Sequence, residues 1–181
     1  MLFEFNIKLT DEDYLKFNEF WNLKSHYGKS QMLKFRILVC VMILLSSGVR
    51  YLYTGFADDT ITHLIVTVIV TAIVQLFLNR MMSAYLKSYM KSLKKKGKPG
   101  YSPESTIQFG ENTLTEITPT ARAEQAYSAI ERISIVGDGP IYLHLNNLGG
   151  YIVPASAFST AENRASFIEF IKTKCQNVDV Y

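Results

Sequence analysis

Two apolar stretches, residues 37–53 and 61–78, lie a few positions apart with lysine and arginine on both outer flanks, and no other feature constrains this chain as strongly. The second stretch contains no Asp, Glu, Lys or Arg. At ~1.5 Å rise per residue, a helix of that length crosses a hydrocarbon core of ~30 Å if little tilted. The first stretch reaches spanning length only by continuing past Arg50. An arginine near a helix end extends its guanidinium to the interface, whereas at mid-membrane it would cost at least ~3 kcal/mol. Asp58 and Asp59 are nearby partners for it. The pattern predicts a transmembrane hairpin; the competing reading is a buried helical hairpin of a soluble protein.

The hairpin sets an expected segmentation. Residues 1–32 read as an amino-terminal strand and an amphipathic helix, 33–53 as the first membrane helix, 54–60 as a short external loop and 61–79 as the second membrane helix. Residues 80–100 follow as a basic juxtamembrane helix and linker, and 101–181 as a cytoplasmic β-sheet domain with a carboxyl-terminal helix. The expected class is therefore an α+β membrane protein. The chain opens Met1, Leu2, Phe3, Glu4, Phe5, without a basic region or long apolar run, so no cleavable leader is expected and the first membrane helix serves as an uncleaved anchor. Two cysteines, Cys40 and Cys175, give no disulfide framework and suit a reducing compartment.

The net charge of +3 conceals a division. Residues 1–100 carry fourteen Lys and Arg against seven Asp and Glu, whereas residues 101–181 carry five against nine. Basic residues thus concentrate beside the membrane, where each is worth ~1 kcal/mol against anionic headgroups within a Debye length of ~8 Å. The acidic sheet domain excludes nucleic acid, which needs a basic face to displace counterions. Lys24, Lys29, Lys34 and Arg36 precede the first span; Arg80, Lys87, Lys91, Lys94, Lys95, Lys96 and Lys98 follow the second; residues 54–60 have none. By the positive-inside rule both termini face the cytoplasm.

After the second span, Met82, Leu86, Tyr89 and Leu93 form one helical stripe opposite Lys87, Lys91 and Lys95. This segment is either a stalk continuing the span or a helix lying on anionic lipid, ended by Gly97, Pro99 and Gly100. Thr10 and Asp13 predict a capping box, opening a helix whose Tyr14, Phe17, Phe20 and Trp21 pack on the 82–93 stripe or form an aromatic groove. Gly28 is a hinge or a simple break.

From residue 106 the pattern turns β-like. Ile107 and Phe109 alternate, residues 112–118, 123–128, 132–136, 141–145 and 151–153 read as strands, and turns fall at 110–112, 137–140 and 146–150. Residues 2–9 supply a further strand, since Phe3, Phe5, Ile7 and Leu9 alternate with Glu4, Asn6 and Lys8. Ser159 and Glu162 predict the cap of a closing helix with Ala165, Phe167, Ile168, Phe170 and Ile171 on its apolar face.

Tyr127, Ser128, Ala129 and Ile130, then Ile133, Tyr142, and Ile152, Val153, Pro154, Ala157 and Phe158 together resemble the carboxyl-terminal signature of the YcxB-like membrane proteins. The resemblance implies a bacterial inner (plasma) membrane protein with a two-span hairpin inserted in a small pleckstrin-homology-like domain. It transfers no catalytic residues. Where relatives carry a basic residue after the proline, this chain has Ala155 and Ser156, which removes the ground for an anion site there. A pleckstrin-like sheet wants seven strands, and residues 2–9 complete that number.

Chemistry is sparse, and no catalytic, cofactor-binding or metal site is assigned. Asp59 and His63, one helical turn apart, are either a weak metal pair or hydrogen-bonding groups. Gly149 and Gly150 read as hairpin glycines rather than a phosphate cradle, and Glu111, Glu116 and Glu124 as a solvated strand face. His63, Thr67, Thr71, Gln75 and Asn79 recur every four residues along the second span, as a solute path or as packing groups toward Ser46 and Ser47. The expected function is a membrane-anchored, non-catalytic interaction or regulatory protein. Its expected partners are the lipid bilayer, anionic headgroups near the basic segments, a protein, and a second copy of the chain. Tyr127, Tyr142 and Tyr151 are candidate protein contacts. The alternatives are a membrane immunity or resistance factor that neutralises a toxin, and a homo-oligomeric solute pathway.

Overall fold

The computed structural model describes residues 2–55, 59–97, 100–145 and 149–181. Of the sequence expectations, those on Asp58, Lys98, Pro99, Asn146 and Asn147 lie outside these residues. The chain divides into two compact units, one of Met1–Phe17 with Leu93–Tyr181 and the other of Asn18–Ser92.

The first unit is built on two four-stranded sheets. β1 (Phe3–Lys8), β2 (Glu104–Phe109), β3 (Thr113–Ile117) and β4 (Arg122–Ala126) form an antiparallel meander in that order. The amino-terminal alternation thus finds its partner nearly a hundred residues away, with Phe3 opposite Phe109, Phe5 opposite Ile107 and Ile7 opposite Ser105. The second sheet runs β7 (Gly149–Val153), β6 (Ile141–Leu145), β5 (Ile130–Ile135), β8 (Val178–Val180). β8 pairs parallel to β5 and follows the helix with which the sequence pattern closes the chain. Three residues carry too little periodicity to announce a strand. Gly149 and Gly150 lie within β7, opposite Leu145 and His144, and not in the turn expected of them.

Alternation along each strand sends one set of side chains into a shared core. Phe5, Ile7, Ile107, Phe109 and Leu114 from the first sheet meet Ile133, Ile135, Ile141, Leu143 and Val153 from the second, with Phe167 and Ile171 of α4 (Ala161–Lys172) between them. Phe5 makes edge-to-face contacts with Phe109, Phe158 and Phe167 at centroid distances of 5.0 to 5.9 Å. Thr160, not Ser159, caps α4: its side chain accepts from the Asn163 amide at 3.1 Å, because the helix begins one residue later than the sequence suggests.

α1 (Asp11–Glu19) opens with the expected reciprocal capping box. The Thr10 amide donates to Asp13 Oδ2 at 2.9 Å and the Asp13 amide to Thr10 Oγ1 at 3.2 Å. Phe17 lies on Tyr142 and His144 of β6 at 5.2 and 5.5 Å, and Tyr14 on Tyr101 at 4.9 Å. The reason is the second sheet's outer face, where Ser134, Tyr142 and His144 need cover.

The second unit contains the last two residues of α1, a π-helical turn, Phe20–Lys24, α2 (His26–Thr54) and most of α3 (Thr60–Lys95). Both helices are long and apolar enough to cross a membrane, and most of their apolar side chains, Leu44, Val68 and Leu76 among them, are exposed. The chain break falls at Ser25, whose side chain caps α2 by accepting from the Gly28 amide at 2.9 Å. Gly28 is therefore not a hinge: it sits in the first turn of α2, where a Cβ would come within 2.2 Å of the Trp21 carbonyl oxygen. α3 is unbroken from the apolar span through the lysine-bearing segment, as the stalk reading expects, and ends before Gly97, whose φ of +67° is a left-handed helix stop.

Candidate functional site

The strand register places one carboxylate on the wrong side for a solvated face. Glu116 stands opposite Ile107 and shares the parity of Leu114, so it points inward. It is half-buried at the edge of a cavity of about 340 Å³ lined also by Ser105, Tyr14, Tyr101, Tyr151 and Ile107. Burial raises the Glu116 carboxyl above its ordinary range, and a hydrogen bond from Ser105 opposes this. The expectation of a solvated strand face is thereby corrected for Glu116, and its parity with Leu114 is the signal that places it. Glu124 keeps an exposed position, accepting from Thr113 Oγ1 at 2.8 Å.

Each side of the cavity comes from a different element. Tyr151 stands on β7 and its hydroxyl is pushed up to about 12, by burial first and by the Glu116 charge second. Tyr14 on α1 is tilted by 31° against Tyr101. Tyr101 donates to Asp11 Oδ1 at 2.6 Å while Lys94 holds Oδ2 at 2.5 Å, a clasp that fixes the start of α1 to the end of α3. These two partners hold the Asp11 carboxyl below its usual value, Lys94 contributing most. Other tyrosines expected as contacts divide: Tyr127 is buried and donates to the Gly110 carbonyl at 2.9 Å, whereas Tyr142 is buried under Phe17 and reaches a smaller cavity of about 260 Å³ beside Asp13, Lys16 and Pro154.

A second polar group lies on the outer face of the second sheet. His144 Nε2 and Ser134 Oγ are 3.2 Å apart, and Arg132 bridges to Asp179 at 2.5 Å. Burial, then the Arg132 charge, lowers the His144 imidazole to about 4, so it is neutral at pH 7. Serine, histidine and aspartate are the residue types of a hydrolytic triad, yet this cluster is closed. Ser134 and His144 are 0% and 1% exposed, sealed beneath Phe17, so no substrate carbonyl has access. Sequence reading passes over this cluster because its members come from three strands.

In the helical unit the polar ladder is spent on interhelical bonds. His63 Nδ1 lies 3.2 Å from Tyr51 Oη, Thr67 Oγ1 3.2 Å from Ser47 Oγ, Gln75 donates to the Arg36 carbonyl at 3.1 Å, and Arg36 donates to Asn79 Oδ1 at 3.1 Å. Thr71 bonds back to the Thr67 carbonyl of its own helix at 2.8 Å. Asp59 pairs with Arg50 at 2.7 Å, so Asp59 and His63 face different partners and do not assemble as a metal pair. Arg50 thereby sits at the helix end with its charge met, as the sequence expects.

Comparison with known proteins adds one finding. Residues 109–171, from the last residue of β2 to the next-to-last residue of α4, match the family model of YcxB-like protein, and this segment is a YcxB-like domain. No curated protein and no solved structure matches the chain.

Proposed function

We propose that the YcxB-like domain serves here as the cytoplasmic part of a membrane-anchored, non-catalytic interaction or regulatory protein. The observation that carries this reading is the antiparallel pairing of β1 with β2. A chain that leaves a sheet at Lys8 and rejoins it at Glu104 after two apolar helices must begin and end on one side of the bilayer. Two crossings satisfy that; one would tear β1 from β2. Lysine and arginine on the outer flanks support a cytoplasmic side for both ends, and the likeness to YcxB-like protein supports a bacterial inner membrane.

The domain's element order supports a pleckstrin-homology-like fold: a four-strand meander, three further antiparallel strands and then a helix, with β8 added at the edge of the second sheet. The row of Lys87, Lys91 and Lys95 suits anionic headgroups, whereas the acidic residues 101–181 repel them. The domain is then the end that meets a polypeptide. A neutral, sealed His144 suits a structural role better than a catalytic one.

Two measurements test this reading. Topology reporters fused after Asp59 and after Tyr181 are expected on opposite sides of the membrane, with the Tyr181 fusion cytoplasmic. Photo-crosslinkers on the sheet domain of the full chain in native membranes are expected to capture a polypeptide. A cytoplasmic signal at Asp59 would sink the hairpin, and crosslinking confined to lipid would remove the interaction role.

A further inference from the structure

The cavity beneath α1 carries chemistry that the membrane-anchor reading does not use. One carboxylate, Glu116, points into about 340 Å³ of space walled by the rings of Tyr14, Tyr101 and Tyr151, and it forms no ion pair among the described residues. An aromatic wall with a single carboxylate is complementary to an organic cation. Ring faces attract a cation through their quadrupole, the carboxylate closes the charge, and the apolar floor at Ile107 accepts a methylene stem. The volume lies at the small end of ligand cavities, which run from ~300 to ~1,000 Å³, and so suits one side chain better than a cofactor.

We propose that this cavity binds a cationic side chain, lysine or arginine, presented by a polypeptide partner. Polypeptide is favoured as the source because the domain around the cavity is acidic, with nine Asp and Glu against five Lys and Arg over residues 101–181, and so attracts a basic segment beyond the single anchored group. Burial supplies the affinity. A half-buried carboxylate that is partly desolvated already has less water to lose when a cation arrives, and its hydrogen bond with the Ser105 hydroxyl leaves further acceptor capacity. The titratable groups around it are Tyr14, Tyr101 and Tyr151, the last two with hydroxyls that burial pushes up to about 12, while Asp11 is taken by Lys94 and Tyr101.

The inference rests on the interaction reading above, and its test separates the two. Full-length protein in phosphatidylcholine nanodiscs at physiological salt is titrated calorimetrically with Gly-Lys-Gly, Gly-Arg-Gly, Gly-Gln-Gly and butylamine. Saturable binding is expected for at least one basic peptide, none for Gly-Gln-Gly, and several-fold weaker binding for butylamine. Glu116→Gln is expected to weaken the peptide ~tenfold, the loss of one charge-assisted contact. Glu124→Gln, which removes the same charge from an exposed strand, is expected to leave binding unchanged. Tyr101→Phe keeps the ring and is expected to bind, whereas Tyr101→Leu loses affinity several-fold; this pair tests the aromatic wall even if Glu116→Gln disturbs the fold. Absence of binding by both basic peptides, equal loss in Glu116→Gln and Glu124→Gln, or butylamine matching the better peptide would overturn the assignment. If a partner is still crosslinked equally by wild type and Glu116→Gln, the cavity is excluded while the interaction role survives.

Discussion

His144 shows how a single side chain ties local chemistry to the stability of the sheet domain. Its imidazole is held at about 4 in the folded protein against an ordinary value near 6.5, because it is buried and faces Arg132. Between those two values the unfolded chain binds a proton that the native state refuses. Stability contributed by the neutral ring is therefore complete above pH ~6.5 and lost as pH falls toward 4, by about 3 kcal/mol. The groups facing it are Ser134 and Arg132 on β5, Asp179 on β8, Tyr142 on β6 and Phe17 on α1. Thermal or denaturant unfolding of the sheet domain should show a steeper fall in stability from pH 6.5 to 4 for wild type than for His144→Gln. Parallel curves would place the imidazole in a more solvated setting than its 1% exposure implies.

The second residue-scale consequence concerns Gly28. Its approach to the Trp21 and Asn22 backbone leaves no room for a methyl group, and the obstructing atoms are main chain, which does not rotate away. Gly28→Ala should therefore distort the Ser25 cap and lower the thermal stability of the helical unit, at a cost comparable to a lost N-cap, about 1 kcal/mol. An unchanged midpoint would mean that the turn from Phe20 to Lys24 yields easily.

At the scale of elements, α2 and α3 are joined by polar side chains that a membrane would otherwise leave unsatisfied. Gln75 reaches both the Arg36 carbonyl and Cys40 Sγ, each at 3.1 Å. Interhelical hydrogen bonds of this kind are worth ~0.6 to ~2 kcal/mol in lipid. Gln75→Leu should weaken the helix pair by about 1 kcal/mol, read as earlier loss of helix–helix proximity in a steric-trap or detergent unfolding series. Unaltered pairing in that variant would return the ladder to the solute-path reading. The β8 edge makes a similar point for the sheet domain, where Arg132 and Asp179 tie a three-residue strand to β5 by an ion pair of 2.5 Å.

At the scale of the molecule, the decisive contact is the β1–β2 ladder, because it makes the helical segment an insertion within one sheet domain. Phe5 is 4% exposed and meets Phe109, Phe158 and Phe167 edge to face. Phe5→Asp should destabilise the domain by ~4 kcal/mol or more, the consequence of burying an unpaired charge. Limited proteolysis of full-length protein in nanodiscs would register this as cleavage within residues 104–172, about a hundred positions from the substitution. Protection equal to wild type would detach β1 from the domain's stability.

The sequence by itself determined what periodicity and charge encode: two long apolar helices, basic flanks, an acidic sheet domain, the Thr10–Asp13 capping box and the strand at the amino terminus. These are local signals, since a 3.6-residue or 2-residue repeat is complete within one element. Tertiary structure alone decided which faces meet. Tyr14 and Phe17 form a helical stripe in the sequence, but only the fold set Phe17 over Tyr142 and His144 on the outer face of the second sheet. Glu116 looks like any strand carboxylate until the register sets it opposite Ile107 and the neighbouring elements leave a cavity in front of it. The Ser134–His144 contact and β8 likewise join residues from separate strands. Pairing between distant strands is fixed by the sum of many core contacts, and that sum is not written in any one window of the chain.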